Sequence, residues 1–155
     1  MFRDITTLLS DPEGFKETID LLAERYKDKN IDKVVGIESR GFIFGAPLAY
    51  LLNCGFVPIR KPGKLPYDVE SEEYSLEYGT DKIEIHKDAL KTGDRILIID
   101  DLIATAGTAN AARNLVKRLG AEVVECAFII ELVDLKGRDK LKGESIYSIV
   151  EFEGE

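Results

Sequence analysis

The chain has 155 residues, enough for one α/β domain with a real core, and its 45% hydrophobic and 32% charged residues exclude a disordered chain. A formal net charge of −8 excludes a sequence-independent grip on nucleic acid, which needs a basic face, although cations and amides can still converge locally on a polyanion. Cys54 and Cys126 sit in apolar runs with neither metal nor disulfide spacing, and no signal-peptide stretch or run of about 18 apolar residues occurs, so a reducing cytoplasm and no membrane partner are expected.

No repeat, low-complexity tract or linker divides residues 1–155, which are expected to form a single domain. Ser10-Asp11-Pro12-Glu13 has the composition of a helix start, with a capping side chain, a proline in the first turn and an acid at the positive end of the dipole. Phe15, Ile19, Leu22, Ala23 and Tyr26 follow at helical spacing, and the Lys27–Asn30 stretch closes that helix. Lys33–Glu38 reads as a buried strand and Ser39-Arg40-Gly41 as a turn. Phe44–Asn53 is the next helix, with Gly55 placed to cap it, and Phe56–Arg60 is the second strand.

Residues 61–81 form a polar excursion punctuated by Pro62, Gly63, Pro66 and Gly79 and loaded with acids, the mark of a functional loop or lid. Tyr74–Tyr78 and Lys82–His86 alternate, predicting a hairpin at its end. Arg95–Asp101 is almost continuously apolar up to its acids, as expected of a strand inside a parallel sheet. A helix over Thr108–Leu119, a strand over Glu122–Leu132 and an edge strand over Ile146–Phe152 complete the pattern. The alternation predicts a doubly wound α/β fold, a mainly parallel twisted sheet flanked by helices.

The segment that carries chemistry is Ile96-Leu-Ile-Ile-Asp100-Asp101-Leu102-Ile103-Ala104-Thr105-Ala106-Gly107-Thr108. A buried strand ends in two carboxylates, then small residues, then a helix. Such a turn aims unpaired amides at one point near the positive end of the helix dipole, an anion cradle suited to phosphate. Thr105 and Thr108 add hydroxyls. Asp100 and Asp101 would repel phosphate but suit the hydroxyls of a ribose beside it. A helix cap needs one acid rather than two, and the absence of Gly-x-Gly-x-x-Gly disfavours a dinucleotide site.

This segment resembles the phosphoribosyl-pyrophosphate signature of type I phosphoribosyltransferases, close to the wording of the adenine-specific branch. Further segments agree in order: Phe2-Arg3-Asp4-Ile5 with a base site, Glu38-Ser39-Arg40-Gly41-Phe42 with a pyrophosphate loop, and Ile59–Pro66 with Tyr74–Gly79 as a flexible catalytic loop. Leu135-Lys136-Gly137-Arg138 matches a late segment. The resemblance implies transfer of the 5-phosphoribosyl group from phosphoribosyl pyrophosphate to adenine, giving AMP and pyrophosphate in purine salvage. It implies magnesium held mainly by substrate, and a homodimer.

By the same resemblance Ser39, Arg40 and Gly41 with Lys61 and Lys64 hold pyrophosphate. Asp100, Asp101, Ala104, Thr105, Ala106, Gly107 and Thr108 hold ribose and phosphate. Phe2, Arg3 and Leu102 hold the base, and Glu77 manages a proton on adenine beside Arg40 as a second catalytic group. Members generally carry a segment ahead of Phe-Arg-Asp-Ile; here Met1 abuts the motif, so a more open base pocket is expected. They also have glycine where this chain has Ala106, so phosphate binding is expected to need right-handed or extended backbone there. Two alternatives stay open: transfer to another purine, and a weakened or non-catalytic domain that binds nucleotide.

Overall fold

The computed structural model describes residues 5–76 and 78–154. A short helix α1 (Thr6–Ser10) and α2 (Pro12–Tyr26) precede β1 (Lys33–Ile37), α3 (Arg40–Leu52) and β2 (Gly55–Ile59). A hairpin follows, β3 (Val69–Ser75) and β4 (Thr80–His86), and then β5 (Arg95–Ile103), α4 (Gly107–Arg118), β6 (Glu122–Leu132) and β7 (Ile146–Phe152). Between β6 and β7 run two 3-10 turns, Val133–Leu135 and Gly137–Leu141.

The five long strands pair in the order β2-β1-β5-β6-β7, all parallel. Strand β5 is central and buried on both faces, which is why it reads as an unbroken aliphatic run. Ile96 and Ile98 pack with Ala112, Leu115 and Val116 of α4 and with Ile83 and Ile85 of the hairpin. Leu97 and Ile99 pack on the other face with Phe44 and Leu48 of α3 and Leu22 of α2. Each such aliphatic burial contributes ~1.5–3 kcal/mol before the entropy of ordering is subtracted.

Connections run from β1 through α3 to β2 on one side, and from β5 through α4 to β6 on the other. The switch in direction therefore falls between β1 and β5, and a crevice opens beyond their carboxyl ends. Close packing brings α3 down onto it. A Cβ at Gly41 would lie 2.8 Å from the Ile99 carbonyl oxygen, and one at Gly45 would lie 2.8 Å from the Phe56 ring.

Several boundaries differ from the sequence reading. Helix α3 begins at Arg40, so Ser39-Arg40-Gly41 is a helix entrance rather than a free turn. Asn53, not Gly55, ends it in the left-handed conformation (φ 57°), donating its N–H to the carbonyls of Ala49 and Tyr50; asparagine tolerates that conformation, and Gly55 opens β2. Pro12 stands at the start of α2 as expected, but Asp11 makes no side-chain cap bond.

Strand β3 starts at Val69, five residues before the expected hairpin strand, because its acids are paired. Glu73 faces Lys82 across the hairpin, and Glu72 accepts from Arg118 and Asn114 on α4. The hairpin forms its own two-stranded sheet and meets the segment after β2 through one backbone bridge: Arg60 and Glu84 exchange N–H···O bonds of 3.0 and 2.8 Å.

Candidate active site

Two adjoining hollows occupy the crevice. The first, about 230 Å³, is lined by Glu38, Ser39, Arg40, Lys61, Tyr74, Asp100, Asp101 and Thr108, over a floor of Ile37 and Ile83. The second, about 200 Å³, is the loop itself: Asp100, Leu102 and the run from Ile103 to Ala109. Asp100 and Thr108 belong to both. The structure thus gathers Ser39, Arg40, Lys61, both aspartates and the whole small-residue turn around two hollows that share Asp100 and Thr108. Gly41 lies buried against the Asp100 backbone. Lys64 reaches the cleft through Glu38. Phe2, Arg3 and Glu77 lie outside the described residues.

The loop is a helix entrance with an unusual first step. Strand β5 runs on past the acids to Ile103, and α4 begins at Gly107; Asn110 donates the first intrahelical bond, 2.8 Å, to the Ala106 carbonyl. The amides of Gly107, Thr108 and Ala109 have no partner within the helix and face the hollow end of the dipole. Ala106 sits at φ 70°, ψ 20°, which corrects the expectation of right-handed or extended backbone at this position. Alanine adopts the left-handed form here because the turn from strand to helix demands it, and its methyl is buried in the core on the α4 side.

The strain, ~1 kcal/mol, is offset by a methyl burial of similar size. Ala106→Gly is therefore expected to leave stability within about 1 kcal/mol and AMP binding intact. Ala106→Val, whose branched side chain resists positive φ, is expected to weaken AMP binding about tenfold or more. Thermal melts and AMP titrations of the two variants check this.

Adjacent residues on a pleated strand leave opposite faces, and the two aspartates part accordingly. Asp101 is only 4% exposed and accepts from Arg40 Nε at 2.5 Å, at the start of α3. Asp100 is half-buried between the hollows, and its Oδ1 accepts the Asp101 N–H at 2.8 Å. Burial first, and then the charge of Asp101, push the Asp100 carboxyl well above the usual aspartate range.

The cations expected to clamp pyrophosphate are all engaged. Lys61 Nζ donates to Asp81 at 2.5 Å and to Tyr74 Oη at 2.9 Å, and those two bonds hold its ammonium above the ordinary lysine value. Lys64 Nζ donates to Glu38 at 3.0 Å.

Sequence reasoning missed three contributors. Tyr74, named only within the hairpin strand and the catalytic-loop motif, lines the cleft. Glu38, named only within a motif, ties three groups of the 60–64 segment. Gly137 supports the loop from below: a Cβ there would lie 2.5 Å from the Ala104 carbonyl oxygen, so the 3-10 turn can seat against the loop backbone only as glycine. The lone signal for it was the small residue inside Leu135–Arg138.

A family model described as a phosphoribosyl transferase domain matches residues 4–152. The chain belongs to the phosphoribosyltransferase family. Within that family it is similar to adenine phosphoribosyltransferase 4 of Arabidopsis thaliana, with 60% identity over 152 residues that cover 98% of this chain and 84% of the relative. Adenine phosphoribosyltransferase of Desulfosudis oleivorans is 57% identical over 155 residues, covering 100% and 90%.

Among solved phosphoribosyltransferase structures, the adenine enzyme of Thermoanaerobacter pseudethanolicus superposes with a TM-score of 0.94 at 51% identity, over 97% of this chain and 88% of the other. The Saccharomyces cerevisiae enzyme, solved with an imino-altritol bisphosphate and adenine, gives 0.90 at 43% identity, over 96% and 86%. The type I phosphoribosyltransferase fold expected from the motifs is the fold observed.

Proposed function

We infer that this chain transfers the 5-phosphoribosyl group from phosphoribosyl pyrophosphate to adenine, forming AMP and pyrophosphate. The observation that carries the reading is the pair of joined hollows at the switch point: a helix-start cradle for a 5-phosphate, an aspartate wall, and a cation-bearing cleft beyond it. Adenine is the base because the relatives at 57–60% identity are named for it and the match is nearly end to end.

In the reaction a purine ring nitrogen attacks the anomeric carbon, the bond from that carbon to the pyrophosphate oxygen breaks, and the electron pair leaves with pyrophosphate. The loop amides with Thr105 and Thr108 fix the 5-phosphate, and Asp100 and Asp101 fix the ribose hydroxyls. Ser39, Arg40, Lys61 and Lys64 meet the charge growing on the leaving group; one such preorganised donor is worth ~2.7–4 kcal/mol of barrier. Leu102, packed from the core side into the loop hollow, forms an apolar shelf for the base. The motif resemblance assigns Phe2 and Arg3 to the base and gives Glu77 the proton that adenine releases.

Magnesium fits this site as a passenger of the substrate, since the half-buried Asp100 side chain lines the cleft and offers hard oxygens toward ribose hydroxyls or metal-bound water; bound there, the ion would neutralise pyrophosphate charge.

A homodimer is supported by the apolar outer side of α3, where Ile43 is 39% and Tyr50 83% exposed. A reducing cytoplasm is supported by two free thiols, Cys54 and Cys126. Among the described residues no helix is long and apolar enough to cross a membrane. The non-catalytic alternative leaned on Ala106, and its glycine-like conformation leaves the cradle's shape in place.

The test is a coupled assay with magnesium, phosphoribosyl pyrophosphate and each of adenine, hypoxanthine, guanine and xanthine. AMP from adenine alone is expected. A faster product from an oxopurine, or none from any base, would overturn the assignment.

A further inference from the structure

The cations at the pyrophosphate end of the cleft each have a carboxylate partner: Arg40 with Asp101, Lys61 with Asp81, and Arg60 and Lys64 with Glu38. Asp101 belongs to the ribose wall and Asp81 to the hairpin. Glu38 has no part in the reaction as drawn so far, yet it stands at the end of β1, beside the switch point, and lines the cleft.

Its side chain is 14% exposed and carries three bonds on two oxygens. Oε1 accepts the Lys61 backbone N–H at 3.0 Å and Arg60 Nε at 3.3 Å; Oε2 accepts Lys64 Nζ at 3.0 Å. Burial raises its carboxyl, but the Lys61 N–H and the Lys64 ammonium outweigh that and hold it below the usual glutamate range. Lys64 is itself 48% exposed, so its pair is a screened, exchangeable one rather than a fixed buried bridge.

We propose that Glu38 is the resident counter-ion of the pyrophosphate subsite: it holds Lys64 while the subsite is empty, yields it to the pyrophosphate group of the substrate, and takes it back as pyrophosphate leaves. The proposal rests on the pyrophosphate subsite assigned above. A carboxylate in this position keeps the empty cleft from presenting an unpaired lysine to any passing polyanion. It also weakens the grip on the product, which helps release.

The two oxygens make the idea separable from mere loop support. Glu38→Gln with its carbonyl oxygen at the Oε1 position keeps the Lys61 N–H bond and loses the charge and the Oε2 acceptor that hold Lys64. Titration of inorganic pyrophosphate with magnesium into the parent, Glu38→Gln, Lys64→Ala and the double variant tests it. The expected result is roughly tenfold tighter pyrophosphate binding by Glu38→Gln, a gain that disappears in the Lys64→Ala background.

A purely structural role for Glu38 predicts weaker binding instead. Unchanged or weaker binding, or a gain that persists without Lys64, overturns the proposal. A parent that binds no pyrophosphate overturns the subsite itself and the proposal with it. Should Glu38→Gln melt below the titration temperature, the 13C resonance of the Glu38 carboxylate in the parent, assigned through Glu38→Asp, is expected to move when pyrophosphate is added. A resonance that stays in place overturns the proposal.

Discussion

Replacing Asp100 and Asp101 together with asparagine is expected to weaken AMP binding by at least about 10²-fold while the protein stays folded, because two charge-assisted hydrogen bonds to ribose, each ~1.5–3 kcal/mol, are lost. The fold survives for a local reason. Asparagine keeps the volume at both positions, and the partner left behind, Arg40, is 43% exposed and can turn to water. The single variants should not be equal. Asp101→Asn removes the charge that helps push the Asp100 carboxyl upward, so Asp100 ionises more readily and part of the ribose grip remains. Asp100→Asn puts an uncharged amide in place of the carboxyl group at the residue that lines both hollows. Calorimetric AMP titration with a thermal melt of each variant checks the order; unchanged affinity in the double variant would sink the ribose assignment.

The second large effect lies at the far end of the same sheet. Glu125, near the start of β6 and 3% exposed, accepts from Arg25 Nε at 2.8 Å and Nη2 at 3.0 Å, from Tyr26 Oη at 2.7 Å and from Ser145 Oγ at 2.5 Å. The Arg25 guanidinium lies 3.9 Å above the Tyr147 ring, so the cluster stitches α2 to β6 and β7. Burial raises the Glu125 carboxyl, but these donors outweigh it and bring it from the usual 4.5 to about 2.

A carboxyl depressed in the folded state stabilises above its unfolded value and loses that contribution as pH falls through the folded one. The difference corresponds to ~3 kcal/mol at neutral pH, most of it gone by about pH 3. Glu125→Ala is expected to cost ~3 kcal/mol or more at pH 7, since it strands Arg25 and Tyr26, and to flatten the acid limb of stability. Urea unfolding of parent and variant at pH 7 and pH 3 reads both. Equal losses at the two pH values would show that the carboxylate is not the source.

The parallel sheet was legible because its signals are physical and local: the aliphatic run Ile96–Ile99 needs burial on both faces, and alternation in Ile146–Phe152 marks an edge. The turn from β5 into α4 was legible because an aliphatic run ending in two acids and followed by small residues marks the end of one element and the start of the next. What escaped depended on partners distant in the chain. Glu72 and Glu73 looked like solvated loop acids, and only Arg118, Asn114 and Lys82 make a strand of them. The Arg40–Asp101 bond joins positions 61 residues apart, and the Gly137 contact depends on a carbonyl from another element. The left-handed Ala106 ran against residue preference, a case of a turn's geometry overriding propensity.

The double bond between the backbones of Arg60 and Glu84 joins the segment bearing Arg60, Lys61 and Lys64 to the hairpin whose tip carries the catalytic loop motif. The residues proposed for pyrophosphate and the motif proposed for the base side therefore lie on one connected piece of chain. On the proposed assignment, whatever change base binding makes in the hold on pyrophosphate is matched, equal in size, by the change pyrophosphate makes in the hold on the base. In thermodynamic terms a bridge that transmits such a change would make base and leaving group heterotropic partners, each tuning the affinity of the other without touching it.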